Sequence, residues 1–512
     1  MVEGKTKNSL RNTFSGIINR CINLLMPFII RTIIIQKLGQ EYLGLNSLFT
    51  SIIHVLNLSE LGIGSALVFN MYKPIADNDY SLLKGYLVLY KKIYRLIGGI
   101  VFLLGIGILP FLPRLIDMKA IEGTDVNIYA LFLIYLANTV LTYLFFAYKK
   151  SLLTAFQRQD IISKVDSIVH ISMYLVQIIL LYVFHNYYLY IFMLPIFTLI
   201  DNAVAAIIAS KAFSVVETTK DIKSIDIKPL FQKIKYLIGH RIGGVIISSA
   251  DSIFISAFLP MLTLTIYSNY FYVISALTGF INVGYNAVLA GVGNSVITKS
   301  KKDLLVLYDD LSFVLFFIVS FCSICLFCLL QPFMMEWMGE KYMFDESTVA
   351  LFCVYFYTWQ IRVMGLIFKD AAGMWANDWK KPYVGMIVNM VLNFSLIRVI
   401  GVNGVLIATI IVMVLIYFPW ETFVLFRDLF KESSSKYIFK QALYALFTLI
   451  AVIPAYFLSS LIRVRGILGL LIKLVICGVI ASIVLLLLTF RSPECLNMKR
   501  RIKSIWIRKK NT

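Results

Sequence analysis

Charged residues are scarce in this sequence. Only 15% of its 512 residues are Asp, Glu, Lys or Arg, while 59% are hydrophobic, and the mean hydropathy is +0.82. A water-soluble protein of this composition would expose large apolar patches and aggregate. The polar stretches are short, so no soluble catalytic domain fits between the hydrophobic ones. The composition therefore predicts a protein that lies in a membrane.

Motifs for nucleotide, metal or cofactor chemistry are also missing. The sequence has no Gly-rich phosphate loop, so we expect no nucleotide hydrolysis by this chain alone. The spacing of its seven cysteines does not indicate a disulfide framework. Cys322, Cys325 and Cys328 lie close together, but the fourth cysteine and the polar loop of an iron–sulfur site are missing. We expect no cofactor, no metal and no enzymatic activity. Any driving force is expected from an ion gradient, the membrane potential or removal of the product.

Apolar segments of about 20 residues recur along the whole chain, and this length crosses a hydrocarbon core of about 30 Å. They predict an all-α polytopic membrane protein with about fourteen transmembrane helices. The predicted spans cover 14–38, 43–69, 88–113, 127–148, 162–184, 187–209, 234–257, 262–288, 307–331, 347–368, 382–400, 402–424, 439–461 and 466–490.

Basic residues are unevenly distributed among the connecting segments. With the N-terminus placed in the cytoplasm and the spans alternating, few of them fall on the outer side: Lys37, Arg114, Lys119, Lys341, Arg398, Arg463 and Arg465. Because cytoplasmic loops carry the excess of Lys and Arg, both termini are predicted to be cytoplasmic. The net charge of +20 then lies mainly on the cytoplasmic face. The basic tail is expected to contact anionic lipid and not nucleic acid.

Polar connections divide the chain into parts. The spans predict an N-lobe (1–215), a cytoplasmic linker (216–233), a C-lobe (234–430), an additional helix pair (431–490) and the basic tail (491–512). A weak internal match pairs Arg20 with Arg241. Since each lobe holds six spans, the lobes are predicted to be parallel repeats related by an axis along the membrane normal. Transporters built in this way bind cargo near the midplane, between the lobes.

Four arginines interrupt the apolar spans: Arg20 and Arg31 in the first, Arg241 in the seventh and Arg362 in the tenth. A buried arginine costs about 2.5–3.5 kcal/mol at the centre of a membrane helix, so it normally faces a protein interior or a wet cavity. We expect these arginines to line a cationic, substrate-binding cavity suited to phosphate. Snorkelling to the head groups is the alternative for the two in span 1. Pro27 between those two predicts a hinge.

Acidic and histidine side chains also lie in predicted spans. Asp251 follows Arg241 deep in span 7, and Glu60 lies in span 2. Asp166 and His170 are spaced i, i+4 in span 5 and can therefore touch. Each of these residues is interpreted either as a structural counter-ion or interface partner, or as a site for a coupling cation or proton. The sequence leaves both interpretations open.

The opening segment carries the most specific signal. Asn12-Thr13 lead into the Arg-bearing first span, and the segments 31–39 (RTIIIQKLG), 41–49 (EYLGLNSLF) and 58–64 (LSELGIG) follow. These segments and the fourteen-span plan resemble the Wzx-type polysaccharide flippases of the multidrug/oligosaccharidyl-lipid/polysaccharide superfamily.

That resemblance implies a V-shaped bundle of two six-helix lobes around a cationic cavity, in the cytoplasmic membrane of a bacterium. It also implies transport of undecaprenyl-pyrophosphate-linked oligosaccharide repeat units from the inner to the outer leaflet, for capsule, O-antigen or a related surface glycan. Membrane lipids, glycosyltransferases and a polymerase of the same pathway are the partners it implies.

Other functions stay open. A lipid II flippase of the same superfamily fits fourteen spans and a cationic cavity equally well. A drug or cation antiporter of the superfamily would need acidic residues in its lobe cavities, but the first span has arginines and no carboxylate. A glycan polymerase or ligase would need a large external loop, and the longest external loop here, about 114–126, is short.

Overall fold

The computed structural model describes residues 5–57, 63–122, 124–219, 225 and 228–500, and within them the chain is helical with no β-strand. This confirms the predicted all-α class. The chain folds into two compact units, Met1–Thr265 and Ile266–Thr512. Each unit holds its own set of packed helices.

The described part of the first unit runs from α1 to α12. Its helices are α1 (Lys5–Lys37), α2 (Gln40–Leu56), α3 (Ile63–Ala76), α4 (Tyr80–Ile108), α5 (Leu112–Leu115), α6 (Met118–Ile121), α7 (Ile128–Leu144), α8 (Ala147–Ala155), α9 (Gln159–Phe184), α10 (Tyr187–Ala212), α11 (Ser214–Thr218) and α12 (Lys228–Phe258).

Helix α13 (Met261–Thr298) begins at the end of the first unit and continues into the second. The second unit then contains α14 (Lys301–Trp337), α15 (Glu346–Gln360), α16 (Val363–Ala371), α17 (Lys381–Ile400), α18 (Val402–Ile411), α19 (Phe418–Leu425), α20 (Ser435–Ser460) and α21 (Gly466–Thr489). Two π-helical segments, Val412–Tyr417 and Phe426–Phe430, flank α19.

The described residues contain twelve helical segments long and apolar enough to cross a membrane, and the bent pair α7 and α8 makes a thirteenth if it counts as one span. These correspond to thirteen of the predicted spans. The remaining one, 43–69, coincides with α2 and α3, between which residues 58–62 lie outside the described part. The chain is therefore a multi-pass membrane protein.

Polar side chains begin several of these helices. The carboxylate of Asp79 accepts a hydrogen bond from the Leu82 amide at 2.9 Å, and Asn127, Asn186 and Ser300 cap α7, α10 and α14 in the same way. Such caps satisfy amides that have no partner within their own helix, a need that is acute next to lipid. Gly39, at φ 123°, makes the turn between α1 and α2, a conformation that other residues rarely adopt.

Helix α12 packs within the first unit. His54 Nδ1 on α2 lies 3.2 Å from Ser249 Oγ on α12, and Thr265 Oγ1 donates to the Gln40 carbonyl at 2.8 Å. The sequence assigned α12 to the C-lobe (234–430), whereas the boundary between the two compact units falls after Thr265. In the predicted linker (216–233), residues 220–224, 226 and 227 lie outside the described part of the chain.

The last two membrane helices, predicted as an additional pair, pack against α14 in the second unit. Small side chains on α20 and α21, Ala451, Ala455 and Ala481, are fully buried and allow close approach. Phe316 stacks on Tyr444 with ring centroids 4.0 Å apart. The seven cysteines are all free, and four of them lie in this packed region.

Candidate functional site

A cavity of about 430 Å³ with a mixed polar and apolar lining lies inside the first unit, between α1, α2, α7, α9 and α10. This volume is typical of small-ligand sites, which span about 300–1,000 Å³. Among the described lining residues, Arg31 is the one charged side chain. Pro27 and Ile34 line the cavity on either side of it along α1, so the predicted hinge residue and Arg31 share one face. Arg31 therefore places a guanidinium group in the cavity lining.

Amide and hydroxyl groups surround Arg31. On α2, Thr50 donates to Asn46 at 3.1 Å. On α7, the Asn138 side-chain oxygen accepts from Thr198 at 2.7 Å, and on α9, Gln177 donates to the Tyr190 carbonyl at 3.2 Å. Carboxylates are missing from the described lining. The lining thus offers a guanidinium and neutral polar groups, a set suited to an anionic and hydroxyl-rich ligand.

A second polar cluster in the same unit centres on Lys150 of α8. Its ammonium pairs with Asp166 of α9 at 3.2 Å and makes a short contact with Asp201 of α10. Asp201 is buried, and its Oδ1 atom has no hydrogen-bond partner among the described residues. One lysine thus holds two carboxylates from two helices, which leaves the ionised cluster with a net negative charge.

The break between α7 and α8 places Lys150 in this cluster. The two helices meet at an angle of 51°, and Phe146 at the break has φ 62°. Lys150 was not among the residues predicted for a site. Its position after an apolar span, with Asp166 and Asp201 in the next two spans, was the sequence signal that could have found it.

His170 contacts Asn23 and not Asp166, the partner that its spacing allows. Its Nδ1 atom lies 2.8 Å from the side-chain oxygen of Asn23 on α1, and Tyr174 donates to the same oxygen at 3.4 Å. In the described chain no hydrogen bond or ion pair joins Asp166 to His170, although their spacing allows one. Asn23 therefore links α1 to α9 between the Lys150 cluster and the Arg31 cavity.

The Asn12 motif fastens the start of α1 to the turn between α8 and α9. Asn12 accepts a hydrogen bond from the Asp160 amide at 2.8 Å and donates to the Gln157 carbonyl at 3.1 Å. Arg11 pairs with the Asp160 carboxylate at 2.9 Å. Since Asp160 lies in the first turn of α9, these contacts position α1 against α9, the two helices that carry Arg31 and Gln177.

Arg362 lies in a different environment, a buried ion-pair network of the second unit. Its Nε and Nη2 atoms donate to Glu421 at 2.9 and 2.7 Å, and Nη1 contacts the sulfur of Met413 at 2.7 Å. The side chain is buried, and each guanidinium nitrogen is already engaged. The contact of Arg362 with substrate stays a prediction.

The remaining predicted residues lie apart from the cavity lining. Arg20 on α1 and Arg241 on α12 are exposed. Asp251 is buried in α12, with only 1% of its surface exposed. Glu60 lies outside the described residues. Of the predicted cationic residues, Arg31 alone lines the cavity described here.

Comparison with solved structures identifies the fold. A lipid II flippase, MurJ, in an inward closed conformation aligns with a TM-score of 0.61 at 15% sequence identity, covering 95% of this chain and 99% of that one. An inward-facing multidrug resistance transporter of the MATE family aligns at 0.61 with 12% identity, covering 81% and 96%. The fold of this chain is therefore similar to the fold of these transporters, the second of which belongs to the MOP superfamily.

A MATE transporter from Vibrio cholerae, VcmN in its bent form, is similar in the same way. It aligns with a TM-score of 0.55 at 14% identity and covers 83% of this chain and 98% of that one. The alignment with the lipid II flippase covers more of this chain than the alignment with either MATE transporter. No protein-family model and no curated protein matches the sequence.

Proposed function

We propose that this protein is a flippase that moves undecaprenyl-pyrophosphate-linked oligosaccharide repeat units from the inner to the outer leaflet, for capsule, O-antigen or a related surface polysaccharide. The observation that carries this proposal is the cavity in the first unit. Among its described lining residues, Arg31 is the one that is charged. The MOP-superfamily fold supports a transport function.

The chemistry of such a cargo matches this lining. A pyrophosphate and a glycan cannot cross hydrocarbon unaided, because both would lose their hydrogen-bonding partners. Arg31 offers a planar fork of donors that stays charged at any working pH and pairs bidentately with phosphate oxygens. Asn46, Asn138 and Gln177 offer amide groups of the kind that bind sugar hydroxyls.

Arg20 and Arg241 are proposed to receive the pyrophosphate before it reaches Arg31. Both are exposed, and both belong to spans whose other described residues are mostly apolar or neutral. An exposed arginine in such a helix attracts a lipid phosphate without the cost of a buried charge. The glycan then enters a polar space while the prenyl tail stays in lipid.

The coupling site is proposed to be the Lys150, Asp166 and Asp201 cluster, with His170 beside it. Two carboxylates that share one lysine can take up a proton or a cation without leaving a lone buried charge. Asp251 and Glu60 remain second candidates. We further propose that the protein lies in a bacterial cytoplasmic membrane with both termini in the cytoplasm, next to glycosyltransferases and a polymerase of its pathway.

Two alternative functions differ from this proposal in the molecule that is transported. A lipid II flippase would use the same Arg31 cavity for a lipid pyrophosphate, and the similarity to MurJ favours it as the second candidate. A multidrug or cation antiporter is favoured by the MATE structures alone. The positive lining around Arg31 opposes a cationic drug.

The test is transport in proteoliposomes loaded with an undecaprenyl-pyrophosphate-linked oligosaccharide. We expect Arg31→Gln to reduce the transport rate about ten- to hundredfold, because a hydrogen bond to a charged group contributes about 1.5–3 kcal/mol. Arg31→Lys keeps the positive charge and should retain part of the wild-type rate. Arg398→Gln, at an exposed position of α17, is the matched control. Equal rates for Arg31→Gln and the control, at equal insertion, would refute the role of the cavity. Transport of cationic dyes instead of the lipid would favour the antiporter.

A further inference from the structure

Two adjoining cavities in the second unit differ in their lining. The polar cavity, of about 320 Å³, has Gln331, Glu346 and Lys473 among mostly apolar residues and lies between α14, α15, α20 and α21. The other, of about 510 Å³, is apolar and runs between α14, α15, α19 and α20. Phe327 of α14 lines both. A polar space that continues into an apolar one has the shape of a site for an amphipathic molecule.

The polar cavity holds two opposite charges that do not pair with each other. Lys473 is the one charged residue of α21 and lines the cavity with a half-buried side chain. Glu346, in the first turn of α15, lines it too and accepts a hydrogen bond from Tyr456 at 3.3 Å. Within the described chain no ion pair joins Glu346 to Lys473, and no carboxylate lies within 4.0 Å of the Lys473 ammonium. A cation in an apolar membrane helix normally finds an anion, so this one is available to a ligand.

The apolar cavity is long. Along α20 it extends from Ile438 to Val452, which corresponds to about 21 Å at the helical rise of about 1.5 Å per residue. Its α20 wall includes the small side chains Ala442 and Ala445, which leave room for a chain. One leaflet of a bilayer is about 15 Å thick, half of a core of about 30 Å. The cavity is therefore long enough for a single acyl chain.

We infer that these two cavities together bind one phospholipid with a zwitterionic, primary-ammonium head group. Its phosphate pairs with Lys473, its ammonium pairs with Glu346, and one acyl chain lies along α20. The site offers one positive and one negative charge, which match the two charges of a zwitterionic head group. An anionic head group would place a net negative charge beside Glu346, so it should bind less well. The inference goes beyond the proposed function and does not depend on which cargo the protein moves.

The test counts lipids on the full-length protein. The wild type is transferred into nanodiscs of equal phosphatidylethanolamine and phosphatidylglycerol, released into mild detergent, and examined by native mass spectrometry. We expect one retained phosphatidylethanolamine, at least about fivefold in excess over phosphatidylglycerol, the selectivity of an ion pair worth about 1 kcal/mol. Glu346→Gln is expected to abolish that preference, and Lys473→Met to abolish retention of both lipids.

Controls separate this site from general lipid adhesion. Glu340→Gln and Lys341→Met change exposed charges near the same end of α14 that do not line the cavity, and they are expected to retain the wild-type lipid. Ala442→Trp fills the apolar cavity and is expected to expel the lipid while Glu346 and Lys473 stay intact. An unchanged elution profile in size-exclusion chromatography shows that each variant is folded.

Three results would overturn the inference. Equal retention of the two phospholipids by the wild type would show that the head group is not selected. Unchanged retention by a folded Ala442→Trp variant would place the lipid elsewhere. Displacement of the phospholipid by added undecaprenyl phosphate, with no effect of Glu346→Gln, would assign the cavities to the cargo tail.

Discussion

The guanidinium of Arg362 and the carboxylate of Glu421 form a bidentate pair in the second unit. The two hydrogen bonds are 2.9 and 2.7 Å long, and both residues are buried. Lys381 contacts the same carboxylate and also pairs with Asp378 at 3.2 Å, while Lys369 contacts Asp378. Three cations therefore share two carboxylates, and Glu421 is the partner of two of them, Arg362 and Lys381.

Removing the Glu421 charge should destabilise the second unit strongly. Glu421→Gln leaves Arg362 and Lys381 buried without their shared anion, and breaking a buried pair in this way costs about 3–5 kcal/mol. The measurement is the thermal unfolding midpoint in detergent. Asp428→Asn is the matched control, because its partner Arg427 is 54% exposed and such pairs contribute only about 0–1 kcal/mol. Similar midpoints for the two variants would contradict the role given to the network.

Gly385 should be intolerant of a side chain because of the ring of Tyr417. A Cβ atom at Gly385 would lie 2.1 Å from that ring, which packs over Arg362 with its centroid 4.6 Å from the guanidinium carbon. Gly385→Ala is therefore expected to lower the unfolding midpoint, at a cost of about 1–3 kcal/mol for overpacking.

Two further variants check the cause of that loss. Gly365→Ala is the control, since its nearest contact would be at 3.8 Å and alanine is the better helix former. Combining Gly385→Ala with Tyr417→Leu should recover part of the midpoint by removing the ring. A double variant no more stable than Gly385→Ala would show that another contact causes the loss.

Lys150→Gln should destabilise the first unit in a pH-dependent manner. Without the lysine, Asp166 and Asp201 lose the cation that both contact. Protonation of one carboxylate relieves their repulsion, so the loss of stability is expected to be larger at alkaline than at acid pH. Unfolding midpoints across a pH series measure this.

The Lys150 prediction has its own controls. Adding Asp201→Asn to Lys150→Gln should flatten the pH dependence, because one carboxylate then remains. Lys164→Gln should change little, since its side chain is 59% exposed and lies 4.0 Å from Asp160. A pH dependence that survives in the double variant would mean that other groups titrate.

Asn12→Ala should loosen the turn between α8 and α9. The substitution removes the acceptor of the Asp160 amide and the donor to the Gln157 carbonyl, and loss of a helix-start acceptor costs about 0.5–2 kcal/mol. Asn12→Asp keeps the acceptor and should lose less. Hydrogen exchange of the first turn of α9 reports the effect directly, and equal exchange in all three proteins would argue against it.

The amino-acid sequence by itself determined the class and course of this chain. Long apolar segments must form helices in a bilayer, because every backbone amide there needs an internal partner. Their lengths fixed nearly all of the spans, and the scarcity of arginine within them singled out Arg31, which does line a cavity. The same rule also selected Arg362, whose partner the sequence did not reveal.

Only the tertiary structure decided which polar groups meet. Arg362 and Glu421 are 59 residues apart, Lys150 and Asp201 are 51 apart, and His54 and Ser249 are 195 apart. In a soluble protein, the apolar face of each helix would have indicated its packing side. In a membrane, lipid-facing and interior-facing residues are equally apolar, so the pattern along a helix does not show which face turns inward. Packing of the helices against one another determines which face turns inward, and therefore which residues make up each site.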